Sequence, residues 1–394
     1  MTRFEPFRGL RYSLADSSDI SAVIAPPYDV LSDEQRDALR DRHHANSVRL
    51  DYPDGKSDPG AYAAARADLE SWIADGTLVR DTQPTFTIYR MTDLATGRRT
   101  TGVLGALGLE HPGDGDVLPH EETTSKDKAD RLSLIRSTEI NTSPIWVLST
   151  ATGLGTICAR IADGAPPTST GVDEAKVRHE CWVVSDSSSL AEIAANIQSA
   201  PVVVADGHHR LETALTYETE RPDANAIMSF VVELSPDELE VRPIHRIVTA
   251  ASAQGVESAL DRFFEPMNVD ATVSASPDGP VLLRPDGSRA VLRPRTDAFD
   301  DEITLDSQRV RIALADASAT TAFHHDIDTV AKAVTSGGAQ AGILLRPATV
   351  AQIRTVADTR TRMPPKSTFF YPKPRTGIVF RPVVDLAPFA GSED

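Results

Sequence analysis

Pro201-Val-Val-Val-Ala-Asp206-Gly207-His208-His209-Arg210-Leu-Glu212-Thr-Ala-Leu-Thr-Tyr217 is the stretch from which the rest of the chain is best read. The β-branched apolar run from Pro201 to Ala205 predicts a buried strand. Asp206-Gly207 is a turn pair, and Leu211, Ala214, Leu215 and Tyr217 then recur at helical spacing, with Glu212 and Glu218 as polar positions. A strand that enters a helix through glycine leaves the first helical amides pointing outward. That end carries partial positive charge and suits an anion. His208, His209 and Arg210 add two imidazoles and a guanidinium, groups matched to phosphate oxygens. Asp206 has two readings, an N-cap for the helix or an oxygen ligand for Mg2+. A lone histidine here would be an ordinary surface residue; Asp-Gly-His-His-Arg in a row at a strand-to-helix corner points to a site.

The wider chain limits what such a site serves. Its 394 residues are enough for two or three compact units. No apolar run is long enough to cross a bilayer, and Met1-Thr-Arg-Phe-Glu-Pro6 has no apolar signal core, so a cytoplasmic protein without a membrane partner is expected. A formal charge of -17 argues against binding nucleic-acid backbones. Lysine is scarce, arginine frequent and aspartate spread throughout, a composition resembling salt-adapted proteins. Cys158 and Cys181 are the only cysteines, too few for a disulfide framework or a thiolate zinc site.

Strand-like and helix-like segments alternate, which predicts an α/β protein with mixed sheets. Three parts are expected, residues 1–150, 151–250 and 251–394. In the first, Ile24 to Val30 is too proline-rich for a central element and reads as an ordered loop. Ser32 with Gln35 makes a capping box, Asn46 to Tyr52 a short strand, and Thr85 to Met91 with Arg99 to Leu109 a hairpin. Gly55-Lys56-Ser57 lacks the upstream glycine of a phosphate loop, since Leu50 stands there, and is an exposed turn. A second chemical stretch follows, His120-Glu121-Glu-Thr-Thr-Ser-Lys126-Asp-Lys-Ala-Asp130-Arg131, with a helix from about Ser125 to Thr138. Two of seven lysines fall in it. It is not a zinc motif, because Thr124 stands where the second histidine belongs. Asn141 to Leu148 reads as one buried strand, 151–178 as a surface connection, Val256 to Phe264 as a helix, and Phe369 to Tyr371 with Gly377 to Arg381 as a hairpin. His245-Arg246 is a compact basic pair, and Lys366-Ser367, after two prolines, rigidly presents an ammonium and a hydroxyl.

Taken together, Ala25-Pro-Pro-Tyr-Asp-Val30, His120-Glu-x-Thr with Lys126 and Asp130-Arg131, Asn141-x-Ser-Pro144, Ala205-Asp-Gly-His-His-Arg210 with Glu212-Thr-Ala214, Pro243-x-His-Arg246, and Met363-Pro-x-Lys-Ser-Thr368 with Tyr371-Pro-Lys373 resemble, in order, domain-of-unknown-function family 1015. Leu211 replaces that family's usual tyrosine and Pro365 its usual glutamine. The Asp-Gly-His-His-Arg corner is also similar to that of small-molecule kinases on the ParB/sulfiredoxin-like fold, including free-serine kinases. The resemblance implies a ParB/sulfiredoxin-like core with added α/β subdomains, and nucleotide phosphates, from ATP or ADP, held at residues 206–210.

The expected function is therefore phosphoryl transfer to a small hydroxylated metabolite such as serine. Gly207, His208, His209 and Arg210 would hold phosphate, with Lys126, Arg131 and Lys366 adding charge and Glu121 serving as general base. His120, Asp130, His245, Arg246 and Ser367 complete the candidate set, with Asp206 as a possible ligand of Mg2+. Two alternatives belong to other classes: a ParB-like nucleotide switch without turnover, and a metal-dependent hydrolase built on His120, Glu121, His208 and His209.

Overall fold

The strand expected at Pro201 to Ala205 is Val202–Asp206, second from one edge of a nine-stranded mixed sheet. From that edge the order is Val117–Pro119, Val202–Asp206, Ile145–Ser149, Ala226–Glu233, Arg99–Gly108, Phe86–Asp93, Val177–Val184 and Ser169–Val172, with Phe4–Glu5 branching from Arg99–Gly108. Val202–Asp206 runs parallel to Val117–Pro119 and antiparallel to Ile145–Ser149, so the sheet mixes both senses. Val202, Val203 and Val204 are fully buried, and helices Leu154–Asp163, Ser187–Gln198 and His208–Glu220 add Leu154, Cys158, Ile193, Ile197, Leu211 and Leu215 to the same core. Each such aliphatic side chain stabilises the fold by about 1.5–3 kcal/mol. Gly105 lies where a Cβ would sit 2.3 Å from the Phe4 ring, and Phe4 stacks on Phe86 at 5.1 Å.

The computed structural model describes residues 2–13, 19–54, 58–111, 113, 115–121, 128–249 and 252–383, which divide into two compact units. The nine-stranded sheet belongs to the unit of 1–119, 123–239 and 372–394. The second unit, 120–122 and 240–371, is built on an antiparallel sheet ordered Phe264–Val269, Arg289–Pro294, Val281–Leu283, Ala341–Leu344, His245–Thr249, Thr320–His324. Its core gathers Val248, Val256, Leu260, Phe264, Leu292 and Ile343. The mixed α/β class agrees with the sequence reading, as does the hairpin of Phe86–Asp93 with Arg99–Gly108. No helix among the described residues is long and apolar enough to cross a membrane.

Several local expectations are corrected. The strand expected at Asn46 to Tyr52 is a helical turn, Val48–Asp51, because the Asn46 side chain accepts from Val48 N–H at 3.0 Å and starts a turn. The connection at 151–178 contains helix Leu154–Asp163 and strand Ser169–Val172; Leu154, Cys158 and Ala162 form a buried stripe that the Gly/Ala/Thr composition conceals. Thr142-Ser143-Pro144 splits the strand expected from Asn141 to Leu148 into Ile140–Asn141 and Ile145–Ser149. The helix expected at Val256 to Phe264 is Ala253–Asp261, and Phe264 already belongs to a strand. Phe369–Tyr371 pairs with Glu240–Arg242, and Arg381–Pro382 with Ile140–Asn141, so no hairpin joins them; Pro372 and Pro374 prevent a return strand. Residues 55–57 lie outside the described residues.

Candidate functional site

At the end of Val202–Asp206, Gly207 adopts φ +89° and ψ +26°, and His208 opens helix His208–Glu220. The left-handed backbone is the reason for glycine there. Leu211 N–H makes the first intrahelical bond, to Gly207 C=O at 3.0 Å, so the amides of His208, His209 and Arg210 precede it. Gly207 is the N-cap and has no side chain of its own with which to cap the helix. This corrects the capping role expected for Asp206, which stands one residue too early. Its Oδ2 accepts from Arg210 Nη2 at 3.0 Å and its Oδ1 from Lys373 Nζ. Burial raises the Asp206 carboxyl, but Lys373 and Arg210 outweigh it and hold the group below the usual carboxylate range. With each oxygen already facing a cation, Asp206 does not fit a Mg2+ ligand. Among the described residues no three His, Cys, Asp or Glu side chains converge to hold a metal.

Arg210 also donates through Nη1 to Ser143 Oγ at 3.1 Å and to Pro144 C=O, which fastens the corner to the Asn141-x-Ser-Pro144 segment. His208 and His209 occupy the first turn of the helix, partly exposed, with His209 Nδ1 3.7 Å from Glu212 Oε2.

The proline-rich loop approaches the same corner. Ala25 and Thr376 exchange backbone hydrogen bonds at 2.9 and 3.2 Å, and Tyr28 N–H donates to Asp51 Oδ2 at 3.2 Å. The Arg131 guanidinium lies 3.8 Å from the centre of the Tyr28 ring. Arg131 donates to Asp51 C=O at 2.7 Å and through Nε and Nη2 to Asp130 Oδ2 at 2.9 and 2.7 Å, while Tyr62 donates to Asp130 Oδ1 at 2.6 Å. Asp130 and Arg131 thus brace this wall of the site. Asp51, Arg131, Ser143, Arg210 and Thr213 line a cavity of about 50 Å³ that joins the brace to the corner. Burial pushes the Tyr28 hydroxyl up to about 12. Asp29 is exposed as a residue, yet its carboxyl is raised, first by packing around it and then by the charge of Asp206, with Arg210 and Lys373 opposing. Asp29, Asp51 and Lys373 had no role in the sequence reading, although Asp29 and Lys373 sit inside quoted motifs.

The other candidates gather in the second unit. Glu121 Oε2 accepts from Ser367 N–H at 3.2 Å, and His120 Nε2 lies 2.8 Å from Thr368 Oγ1 and 3.6 Å from Glu121. Ser367 Oγ donates to Pro364 C=O at 2.6 Å and lies 2.9 Å from Ser307 Oγ. Burial holds Arg246 at about 10 against the opposing charge of Glu121. His245 Nδ1 accepts from Leu345 N–H at 3.1 Å, and burial with the Arg246 charge pushes its pKa down to about 4, so it is a neutral core acceptor near pH 7. Lys366 has φ +58° at the turn. Lys126 lies outside the described residues.

No curated protein matches the chain. Solved structures that align with it include a conserved hypothetical protein from Pyrococcus furiosus, at 9% identity and TM-score 0.38 over 66% of this chain and 90% of that one. A free serine kinase in complex with AMP aligns at 9% identity and TM-score 0.39 over 66% and 87%. SbnI with a C-terminal truncation, from Staphylococcus aureus, aligns at 10% identity and TM-score 0.39 over 68% and 82%. At these TM-scores the alignments do not establish a common fold. The family described as "Protein of unknown function (DUF1015)" matches residues 4–327, ending before the Met363–Thr368 and Tyr371–Lys373 motifs. The match spans most of the sequence, and the chain belongs to the DUF1015 family.

Proposed function

We propose that the Asp206–Arg210 corner binds the phosphates of a nucleotide, ATP or ADP, and that the protein passes a phosphoryl group to a hydroxyl of a small metabolite such as serine. The observation that carries this reading is the helix N-terminus that opens behind Gly207 at φ +89°, with the Lys373 ammonium held beside it by Asp206. Phosphoryl transfer depends mainly on neutralising and aligning charge, which amides and a fixed cation supply without rearrangement. In this reading the amides of His208, His209 and Arg210 take phosphate oxygens, as the positive end of a helix does. Lys373 adds its charge while keeping Asp206 as a partner. Arg210 acts from behind: its bonds to Ser143, Pro144 and Asp206 hold the turn in place.

Nucleotide binding is measured by calorimetry, and turnover by phosphorus NMR with a panel of hydroxylated amino acids and polyols. Acceptor-dependent consumption of nucleotide is expected. Lys373→Ala should weaken nucleotide binding about ten- to hundredfold, the worth of one charge-assisted hydrogen bond. Nucleotide bound but never consumed with any acceptor refutes the transferase; no binding at all refutes the site.

A further inference from the structure

We propose that Tyr89, His179 and Asp173 are positioning residues for Lys373, acting through Arg375, so that the lysine at the corner is set by a closed ring of buried hydrogen bonds. The inference rests on the corner being the binding site.

Arg375 opens and closes the ring. Its backbone N–H donates to Tyr89 Oη at 3.2 Å. The Tyr89 hydroxyl lies 2.7 Å from His179 Nδ1, and His179 Nε2 lies 2.9 Å from Asp173 Oδ2. The same Asp173 oxygen accepts from Arg375 Nε at 2.8 Å and from Arg375 Nη2. Burial raises the Asp173 carboxyl, but the His179 hydrogen bond and the Arg375 charge overcome that and keep it ionised. Burial keeps His179 neutral. One assignment then satisfies every atom: Nε2–H donates to the carboxylate, and Nδ1 accepts the tyrosine proton. Val177 N–H takes the other Asp173 oxygen at 2.9 Å.

All four residues are at most 7% exposed. Replacing such a buried charge network by apolar side chains is often neutral for stability or better. What it provides that apolar packing does not is direction, since each donor accepts only one placement of its partner. That direction passes to Lys373 along a stiff tether. Pro372 and Pro374 flank the lysine with φ locked, and residues preceding proline are confined to extended backbone. Both prolines are buried while Lys373 between them is partly exposed. Beyond Arg375, the Thr376 hydroxyl donates to Asp51 Oδ2 at 3.1 Å, so the tether is held on that side too. With Arg375 fixed on strands Phe86–Asp93 and Val177–Val184, little freedom is left to the lysine backbone.

The test uses the full chain with Tyr89→Phe and Asp173→Asn, each alone and combined with Lys373→Ala. The first readout needs no ligand. Modification of Lys373 by an amine-reactive ester is followed by peptide mass spectrometry against the exposed Lys332, well below the unfolding temperature. Each single variant should speed Lys373 modification about two- to tenfold, what one lost net hydrogen bond allows, with Lys332 unchanged. The second readout is ATP affinity by calorimetry. Tyr89→Phe should weaken binding about two- to tenfold when Lys373 is present and have no effect in the Lys373→Ala background. Unchanged Lys373 reactivity, or additive losses in the double variant, overturns the inference and leaves the ring a staple only. If the parent binds no ATP, the functional reading fails while the labelling result still decides the positioning role.

Discussion

Gly207→Ala tests the corner directly. A Cβ on Gly207 would lie 2.8 Å from Ile145 Cγ2, 3.1 Å from Ile145 Cβ and 3.1 Å from Arg210 Nε. Ile145 is fully buried in the middle of the sheet and cannot step aside cheaply. Overpacking of this kind costs about 1–3 kcal/mol. The left-handed backbone at φ +89° adds about 1–2 kcal/mol for a residue with a Cβ. The reduced entropy of the unfolded chain returns about 0.4–1 kcal/mol. The net expectation is a loss of about 2–4 kcal/mol. Gly97→Ala in the same unit is the control: φ is +73°, but nothing lies within 4 Å of the added atom, so only the backbone cost of about 1 kcal/mol applies. Urea unfolding followed by tryptophan fluorescence measures both, because Trp72, Trp146 and Trp182 are the only tryptophans and all lie in this unit. Equal losses in the two variants would mean that Ile145 yields freely, and the account of a corner held against the sheet would be wrong.

Two further outcomes follow from burial. Cys158 and Cys181 are at most 1% exposed, and burial raises both thiols, Cys181 to about 12. A thiol-reactive disulfide reagent should label neither in the native protein and both after denaturation; rapid native labelling would show that the sheet opens more readily than its packing implies. Burial also lowers His179 and His245, the latter to about 4. The unfolded chain therefore binds more protons below pH about 6.5, and stability falls as pH drops from there towards 4, by up to about 1.4 kcal/mol per unit for each histidine. Circular-dichroism melts at pH 7, 6 and 5 should show a falling midpoint, and a constant one would refute the buried neutral state.

The sequence carried the corner well because its signals are local. A β-branched run, a turn pair and a helical period sit within seventeen consecutive residues, and the structure has Val202–Asp206, Gly207 and His208–Glu220 there. The role of Asp206 was not legible, because its partner Lys373 lies 167 positions later and no spacing rule connects them. Tyr89 and Arg375, 286 positions apart, were hidden for the same reason. His245 looked like a basic ligand because composition reveals charge type but not burial, and burial decides its protonation. Val48–Asp51 misled through its length: one helical turn gives too few positions to separate a period of 3.6 from a period of 2.

The sheet unit is interrupted after Leu239 and resumes only at Pro372. During vectorial synthesis its strands from Phe4 to Glu233 leave the ribosome before Arg375 has been made. Until then the nascent chain holds Asp173 without the guanidinium that pairs with it, and the place beside Asp206 has no ammonium. Sheet pairing and the core of Phe4 to Val231 need only residues already made, but the contacts of Lys373 and Arg375 wait for the whole intervening unit to be translated. The ammonium of the corner is thereby tied to a late event in the life of the polypeptide, and a message cut short within 240–371 yields a scaffold that has most of its strands but neither Lys373 nor Arg375.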